Sequence, residues 1–299
     1  MSGLTVARRL DWDEEESYFH SESDIKLRVD NVTKEFYVKG FGKAPDQTTV
    51  IALDGLTLEV KRGEFLVLLG PSGCGKTTLL DMFAGLSFPT SGSISIDGQP
   101  IKEPGLDRGI VFQQYALFPW LTTFENVEFV LANNNAPKKE RVKKVKELIK
   151  MVGLEGFENH YPYQLSGGMK QRAAIARTLT FDPEILLMDE PFGALDSQIR
   201  ELLQQELLHI RDQTGKSILF ITHSIEEAVY LADRVAVLTA RPGKIKQIID
   251  VPISRRERLE SEDIRSDPLF SETRHLLWTL LRDEMSKSQE IKEGKAHED

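Results

Sequence analysis

The 299-residue sequence has a single cysteine, no long apolar segment and no excess of basic charge. Because Cys74 has no partner, an internal disulfide framework is excluded and a reducing compartment is favoured. Apolar runs such as Phe65–Leu69 are far too short to cross a bilayer, and the first residues lack the apolar stretch of a signal peptide. The formal net charge of −9 argues against nonspecific binding to nucleic acid or anionic lipid. We therefore expect a cytosolic, soluble protein.

The acidity is concentrated at the beginning of the chain. Residues 1–24 contain seven acidic and two basic residues and show no hydrophobic period, so we expect a flexible acidic N-terminal arm. The rest of the chain is closer to neutral, and its charge argues only weakly against polyanionic partners. A hydrophobic content of 40% over this length is enough for one large globular domain with a sizeable core.

Hydrophobic patterning after residue 24 predicts an α/β fold. Alternating residues at 25–29 and a second strand at 56–60 indicate an antiparallel hairpin whose loop covers 39–49. Short apolar runs then alternate with helical patterns, which is typical of a parallel sheet covered on both faces. The predicted strands are 65–69, 109–112, 185–188, 217–221 and 234–238, and the predicted helices are 76–86, 168–180, 196–213 and 225–233.

One segment interrupts this alternation, since residues 124–163 show helical patterns and no strand. Pro137 begins a helix whose apolar positions recur at helical spacing. Its other face is rich in lysine, which favours a solvated surface over a membrane or nucleic-acid patch. We interpret about 114–167 as a helical subdomain inserted into the sheet domain. A further helix at 269–285 is expected to pack back onto the domain, followed by a polar tail.

A phosphate site is predicted where the strand 65–69 meets the following helix. The residues GPSGCGKT at 70–77 fit the P-loop pattern GxxxxGK[ST] in its proper strand–helix context. Its backbone N–H groups can surround an anion at the helix N-terminus, Lys76 can reach the β- and γ-phosphates, and Thr77 can ligate Mg²⁺. Cys74 is interpreted as a small spacer. The predicted loop residues are Gly70, Pro71, Ser72, Gly73, Cys74, Gly75, Lys76, Thr77 and Thr78.

The buried strand at 185–188 ends in two carboxylates, Asp189 and Glu190. Ligands of α/β folds collect at this edge of the sheet. Asp189 is predicted to hold the metal through water, and Glu190 to act as the general base that polarises the attacking water. Kinases, GTPases and ATPases all remain possible at this point, although no guanine-reading NKxD motif occurs.

The residues LSGGMKQR at 165–172 decide among these classes, because here the chain resembles the ATP-binding cassette (ABC) family, whose signature motif this is. Ser166 can cap the following helix, and Gly167 and Gly168 expose N–H groups at its positive end. A second phosphate-binding surface in a chain that already has a P-loop makes sense if it serves a neighbour. The resemblance implies two subunits, related by a two-fold axis, that enclose two ATP molecules.

The resemblance covers about residues 25–251 and implies further site residues, leaving 252–299 as a C-terminal helix and polar tail. Gln113 matches the family's Q-loop glutamine, near Mg²⁺ and the attacking water, with Gln114 as the alternative. His223 matches the switch histidine that binds the γ-phosphate, although Ser224 stands where relatives often have Asp. The other implied residues are Asp196 of the D-loop 193–196, whose Gly193 replaces a common Ser, and Phe36, which would stack on adenine, with Tyr37 as the alternative.

Three functions compete within this resemblance. They are the ATPase subunit of a membrane importer, a non-transport cassette ATPase acting on nucleic acid or ribosomes, and a self-contained P-loop enzyme such as a kinase. The signature motif excludes the third, and a single cassette with an acidic balance disfavours the second. The aromatic-rich stretch 115–126 is either a docking surface for a membrane subunit or an internal cluster, and the two are compatible.

Within the importers, residues 225–234, 240–245 and Pro119-Trp120 resemble the nitrate, sulfonate, taurine and bicarbonate group. Only 48 residues follow Val251, so we expect no separate regulatory domain. The resemblance implies ATP and Mg²⁺ as cofactors. It implies as partners a second ATPase subunit, identical or similar, polytopic permease subunits and, indirectly, a solute-binding protein, with no nucleic acid. The expected location is peripheral, on the cytoplasmic side of the inner membrane.

Overall fold

A computed structural model describes residues 24–39, 47–134, 136–261 and 263–296. The predicted N-terminal arm up to residue 23, most of the predicted hairpin loop and the last three residues lie outside the described residues. Within the described part, no helix is both long enough and apolar enough to cross a membrane.

The described residues form two sheets. The strands are β1 Ile25–Lys39, β2 Gln47–Lys61, β3 Phe65–Leu69, β4 Ser91–Ile96, β5 Gln99–Pro100, β6 Arg108–Val111, β7 Ile185–Asp189, β8 Ser217–Thr222, β9 Arg234–Leu238 and β10 Ile245–Asp250. A four-stranded antiparallel sheet has the order β2-β1-β4-β5, and a six-stranded sheet has the order β10-β9-β3-β8-β7-β6. In the larger sheet only β10 runs antiparallel to its neighbour.

Helices cover both faces of the larger sheet. They are α1 Lys76–Phe83, α2 Thr123–Asn133, α3 Lys138–Met151, α4 Gly167–Leu179, α5 Ser197–Thr214, α6 Ile225–Leu231, α7 Arg255–Glu260 and α8 Pro268–Ala296. The predicted α/β architecture with a parallel sheet and an antiparallel sheet is confirmed. Helix α1 ends three residues earlier than predicted, since Gly85 adopts a left-handed conformation with φ of 75°.

The apolar side chains form two cores separated by the larger sheet. The core on one face of the sheet lies beneath the helices α2 to α6 and α8 and includes Phe192, Leu207 and Leu277. The other face packs α1 and the antiparallel sheet together around Leu27, Leu58 and Leu79. Both faces of β3 and β8 are therefore buried, which explains why these strands read as continuous apolar runs.

Between Thr123 and Gln164 the described residues contain helices and no strand, as the sequence predicts. Helix α2 begins with a capping box in which Thr122 and Glu125 bind each other's backbone N–H groups. Helix α3 buries Val145 and Leu148, while its lysines are mostly exposed. The lysine-rich face is thus exposed, which both interpretations of it require.

The last helix, α8, is longer than the predicted 269–285 and continues to Ala296. Phe270, Leu277 and Leu281 are buried in the larger core, so the prediction that this helix packs back onto the domain is confirmed. Three strands, β4, β5 and β10, carry too little apolar alternation to be predicted.

Candidate nucleotide-binding and catalytic site

The P-loop leaves the end of β3 and enters α1, and two of its glycines have conformations that other residues rarely adopt. Gly73 and Gly75 have φ values of 84° and 102°. A Cβ added to Gly75 would lie 2.7 Å from Leu53 Cδ2 and 3.1 Å from the Ala52 carbonyl oxygen. Glycine is therefore needed here so that the loop can pass close beneath β2.

Lys76 is folded across the loop. Its side chain is buried, and its Nζ donates to the carbonyl oxygens of Gly70 at 2.8 Å and Pro71 at 3.0 Å. The ammonium group is thus held within the loop by two carbonyl oxygens. A polyphosphate would replace these weaker acceptors with charged oxygens.

Thr77 and Asp189 come together at the end of β7. The Thr77 hydroxyl donates to Asp189 Oδ2 at 3.4 Å. Burial and the neighbouring Glu190 raise the pKa of Asp189 above its ordinary value, because both disfavour its negative charge. A hydroxyl and a carboxylate are hard oxygen donors of the kind that Mg²⁺ prefers, usually together with phosphate oxygens and water. The residue pair therefore fits a magnesium ion.

Glu190 and His223 form a hydrogen-bonded pair, with Nδ1 of His223 2.9 Å from Oε2 of Glu190. The pair arises because β7 and β8 are parallel neighbours and end at the same edge. The Glu190 backbone has an unusual φ of 43° and is held by a hydrogen bond from its N–H to the Ile221 carbonyl, at 3.0 Å. The His223 side chain is 60% exposed and accessible to a ligand.

Gln113 lies at the end of β6, next to the turn that follows Glu190. A Cβ added to Gly193 would be 3.4 Å from both Gln113 Nε2 and the Glu190 carbonyl oxygen. The structure therefore brings Gln113 beside Glu190.

Arg177 fixes the segment that follows Gln113. Tyr115 and Ala116 have φ values of 60° and 48°, a left-handed conformation that is unusual for such residues. Arg177, in α4, donates from Nη1 to the Ala116 carbonyl at 2.5 Å and from Nη2 to the Tyr115 carbonyl at 3.2 Å. The helix that carries the signature motif is thereby tied to the Q-loop segment.

A cavity of 330 Å³ joins the P-loop to Phe36, Glu190 and Arg241. Phe36 is 42% exposed, and Lys34 Nζ lies 5.3 Å from its ring centroid. Tyr37, the alternative, is more exposed and does not line the cavity. Arg241 was missed by sequence reasoning because the turn between β9 and β10 belongs to no known phosphate motif; only the fold brings it to the P-loop.

The same turn closes over the P-loop through Gly243. Its N–H donates to the Ala52 carbonyl at 2.9 Å, and its carbonyl accepts from the Asp54 N–H at 3.2 Å. A Cβ added to Gly243 would lie only 2.1 Å from the Cys74 carbonyl oxygen. The Cys74 thiol itself is buried, which raises its pKa and is consistent with a packing role.

The signature residues are positioned but do not reach the chain's own P-loop cavity. Ser166 caps α4 by accepting from the Met169 N–H at 3.3 Å, and Asp196 caps α5 by accepting from the Ile199 N–H at 3.0 Å. A Cβ added to Gly168 would lie 2.6 Å from Ile199 Cγ2, so this glycine allows α4 and α5 to approach. Ser166, Gly167, Gly168 and Asp196 are absent from the lining of the P-loop cavity.

Helix α8 reaches the opposite rim of the P-loop, which the sequence did not indicate. Leu281 and Met285 line a cavity of 220 Å³ together with Gly70, Ser72 and His223. The Ser288 hydroxyl donates to the Ser72 carbonyl oxygen at 3.4 Å. The C-terminal helix therefore borders the predicted γ-phosphate region.

Comparisons with known proteins show which family the chain belongs to. The sequence profile of the ABC transporter domain matches residues 53–193. An uncharacterised ABC transporter ATP-binding protein of Methanocaldococcus jannaschii is 54% identical over 88% of this chain and 94% of its own length. The taurine import ATP-binding protein of Pelagibacter ubique is 48% identical over 80% of this chain and 91% of its own. The nitrate import ATP-binding protein of Synechocystis is 46% identical over 78% of this chain and 89% of its own length.

Among solved structures, a dimeric ATP-binding cassette in a post-hydrolysis state with ADP and phosphate has the same fold. It is 36% identical, has a TM-score of 0.64, and covers 75% of this chain and 98% of its own. The sequence similarity extends over nearly the whole length of each relative. The chain therefore belongs to the ABC transporter family, as one of its P-loop ATPases.

Proposed function

We propose that this ATPase is the energy-supplying subunit of an importer for a small anionic solute. One observation carries the proposal most directly. The P-loop, Asp189, Glu190 and His223 meet at one edge of the sheet, whereas the signature residues line no part of the same cavity. This is a half-site for ATP that a second subunit has to complete.

In the proposed reaction, the N–H groups of the P-loop and Lys76 bind the β- and γ-phosphates of ATP. Thr77 and, through water, Asp189 would hold Mg²⁺, which would neutralise charge on the phosphate oxygens. Phe36 stacks on the adenine ring, and Arg241 adds a positive charge at the same cavity. These interactions position the γ-phosphorus for attack by water.

Hydrolysis then requires a base next to the attacking water. Glu190 accepts a proton from that water as its oxygen bonds to the γ-phosphorus, and the bond to the β,γ-bridging oxygen breaks to leave ADP and phosphate. His223 orients Glu190 through their hydrogen bond and contacts the γ-phosphate. Gln113, beside Glu190, helps to position the water and the metal.

The second half of the site comes from another copy or a similar subunit. Ser166 and the N–H groups of Gly167 and Gly168 lie at the N-terminus of α4, where the helix dipole favours a γ-phosphate. Binding of two ATP molecules between two chains closes the pair, and hydrolysis reopens it. The dimeric relative with ADP and phosphate supports this arrangement.

Coupling to the membrane subunits is proposed at the aromatic segment after Gln113. Phe118 packs against Phe129 with ring centroids 4.5 Å apart, so part of the stretch is an internal cluster. Trp120 beside it is 69% exposed, and Phe112 is also exposed. An aromatic surface next to the γ-phosphate sensor suits a short helix of a polytopic permease. The chain would then lie peripherally on the cytoplasmic side of the membrane.

The proposed solute class rests on the relatives named for taurine and nitrate import and on the motifs shared with that group. The solute itself would be recognised by a binding protein and by the permease, because this chain sits on the energy-supplying side. A non-transport ABC ATPase acting on nucleic acid or ribosomes is the alternative.

Co-purification with a permease tests the proposal. The chain is expressed with a candidate polytopic partner, and ATPase activity is measured with and without the solute-loaded binding protein. We expect a stable complex whose ATPase is stimulated, and a Trp120→Ala variant that assembles less well while an exposed Tyr163→Ala control does not differ. Absence of a membrane partner together with nucleic-acid-stimulated ATPase would favour the alternative.

A further inference from the structure

A second polar cavity, of 370 Å³, lies at the beginning of β3, whereas the P-loop lies at its end. Five residues in a strand separate the two places by roughly 16 Å. The cavity is lined by the turn before β3, the start of β9 and the segment that leads into α7. Nothing in the proposed ATPase reaction uses these residues.

Basic side chains outnumber carboxylates in the lining of this cavity. Five basic side chains line it against three carboxylates, those of Glu64, Asp233 and Asp250. Glu64 is already engaged by Arg234, whose Nη2 lies 3.1 Å from its Oε2. Arg62 pairs with Asp97 outside the lining, so Arg255 and Arg258 are the arginines that depend mainly on Asp233.

Asp233 is shared among three guanidinium groups and a backbone N–H. Its Oδ2 accepts from Arg211 Nη2 at 2.5 Å, from Arg255 Nη2 at 3.2 Å and from the Phe65 N–H at 2.9 Å. Arg258 Nη2 lies 3.9 Å from its Oδ1. One carboxylate is thus shared by three arginines, two of which, Arg255 and Arg258, line the cavity.

Arg258 is the most deeply placed of the three and is incompletely satisfied. Its side chain is buried, with only 3% of the residue exposed, and its Nε and Nη2 donate to the Ile253 carbonyl at 3.1 and 2.6 Å. Its Nη1 is buried and has no hydrogen-bond partner among the described residues. Burial, together with the nearby Arg211 and Arg255, lowers the pKa of Arg258 to about 10. A buried donor without an acceptor is unfavourable and is usually explained by a missing partner.

We propose that this cavity is an oxyanion-binding site, in which Arg255 and Arg258 bind a phosphate-like or carboxylate group. The planar fork of arginine suits two oxygens of one anion, and such a ligand would provide the acceptor that Arg258 Nη1 lacks. The site is separate from the nucleotide site and does not depend on the proposed import function.

The anion that binds this site could come from two sources. One is a small anion from solution, and the other is the acidic sequence at positions 13–16 of the chain itself. The N-terminal segment enters the described structure at Asp24, whose carbonyl oxygen accepts from the N–H of the cavity residue Arg62 at 2.8 Å. An experiment with inorganic phosphate separates the two sources.

Isothermal titration with inorganic phosphate tests the site in the full chain while saturating Mg-ADP occupies the P-loop. We expect binding that weakens about tenfold or more in Arg255→Gln, since a charge-assisted contact is lost. The matched control is Arg256→Gln, because Arg256 is the exposed neighbour on α7 and pairs with Glu260. It is expected to bind phosphate as the parent does.

A second variant identifies the source of the anion. In D13N/E14Q/E15Q/E16Q, unchanged phosphate affinity indicates a solution anion, and tighter binding indicates that the chain's own carboxylates compete for the site. The proposal is overturned if neither the parent nor this variant binds phosphate at millimolar concentration. It is also overturned if Arg255→Gln binds phosphate with the affinity of the parent.

Discussion

At the scale of single residues, Gly243 shows how a turn outside the known motifs shapes the nucleotide site. Its backbone bridges β2 and the P-loop, and there is no space for a side chain above the Cys74 carbonyl. Any Cβ at this position has to push the P-loop or the turn away. The conformation of the phosphate-binding loop therefore depends on a residue more than 160 positions later in the chain.

We predict that Gly243→Ala destabilises the fold by about 1–3 kcal/mol, as expected for overpacking, and weakens ATP binding. Urea unfolding and the Kd for ATP are the measurements. Lys244→Ala is the control, because the side chain of this neighbour is exposed and pairs with the exposed Asp54. Unchanged stability and ATP affinity in Gly243→Ala would show that the loop adapts without cost.

Residues in contiguous motifs could be predicted from the sequence, and residues brought in by the fold could not. The P-loop, Asp189 and Glu190 follow strands that read as buried, so their meeting at one edge follows from parallel pairing. Phe36 required the family resemblance, and the structure puts it at the P-loop cavity. Arg241 and Ser288 approach the loop only through tertiary contacts, which one sequence does not encode as a local pattern.

At the scale of elements, α8 is held beside the P-loop by Glu284. This carboxylate is 2% exposed and accepts from Lys246 Nζ at 2.9 Å, from the Ala240 N–H at 2.9 Å and from Lys287 Nζ at 3.1 Å. Burial alone would raise its pKa, but these hydrogen bonds outweigh it and lower the pKa of Glu284 to about 2. The helix is thus fastened to the β9–β10 turn that also carries Arg241.

We predict that Glu284→Gln lowers the free energy of unfolding by about 1–3 kcal/mol near neutral pH, because charged hydrogen bonds are lost. Since the folded pKa lies below the ordinary value, this advantage is complete above about pH 4.5 and disappears as the pH falls towards 2. Urea unfolding of the parent and of Glu284→Gln from pH 7 to 3 measures this difference in the free energy of unfolding. Asp283→Asn is the control on the same helix, and a difference that stayed constant with pH would contradict the role of the charge.

The elements with strong periodicity were predicted, and those stabilised by tertiary pairing were not. The five parallel strands read as apolar runs because both of their faces are buried. In contrast, β10 is largely exposed at the edge of the sheet, and its sequence Ile245–Asp250 has a mixed pattern. The contact of α8 with the P-loop also depends on how a long helix folds back, which amphipathicity alone does not determine.

At the scale of the whole molecule, a single chain contains two proposed phosphate-binding surfaces that do not line one common cavity. The P-loop lies after β3, and Ser166 begins α4 on the side of the helical segment. Arg177 connects α4 to the segment after Gln113 by two hydrogen bonds. In the proposed function, one working ATP site therefore requires two chains.

The most direct test of this requirement uses Glu190→Gln with Mg-ATP, measured by light scattering together with the nucleotide content of the separated species. We predict a particle of twice the mass of one chain that holds two ATP molecules and does not turn them over. Adding Ser166→Arg to the same chain should preserve ATP binding but leave a monomer. An ATP-loaded monomer of Glu190→Gln, or hydrolysis at the parental rate, would contradict the account.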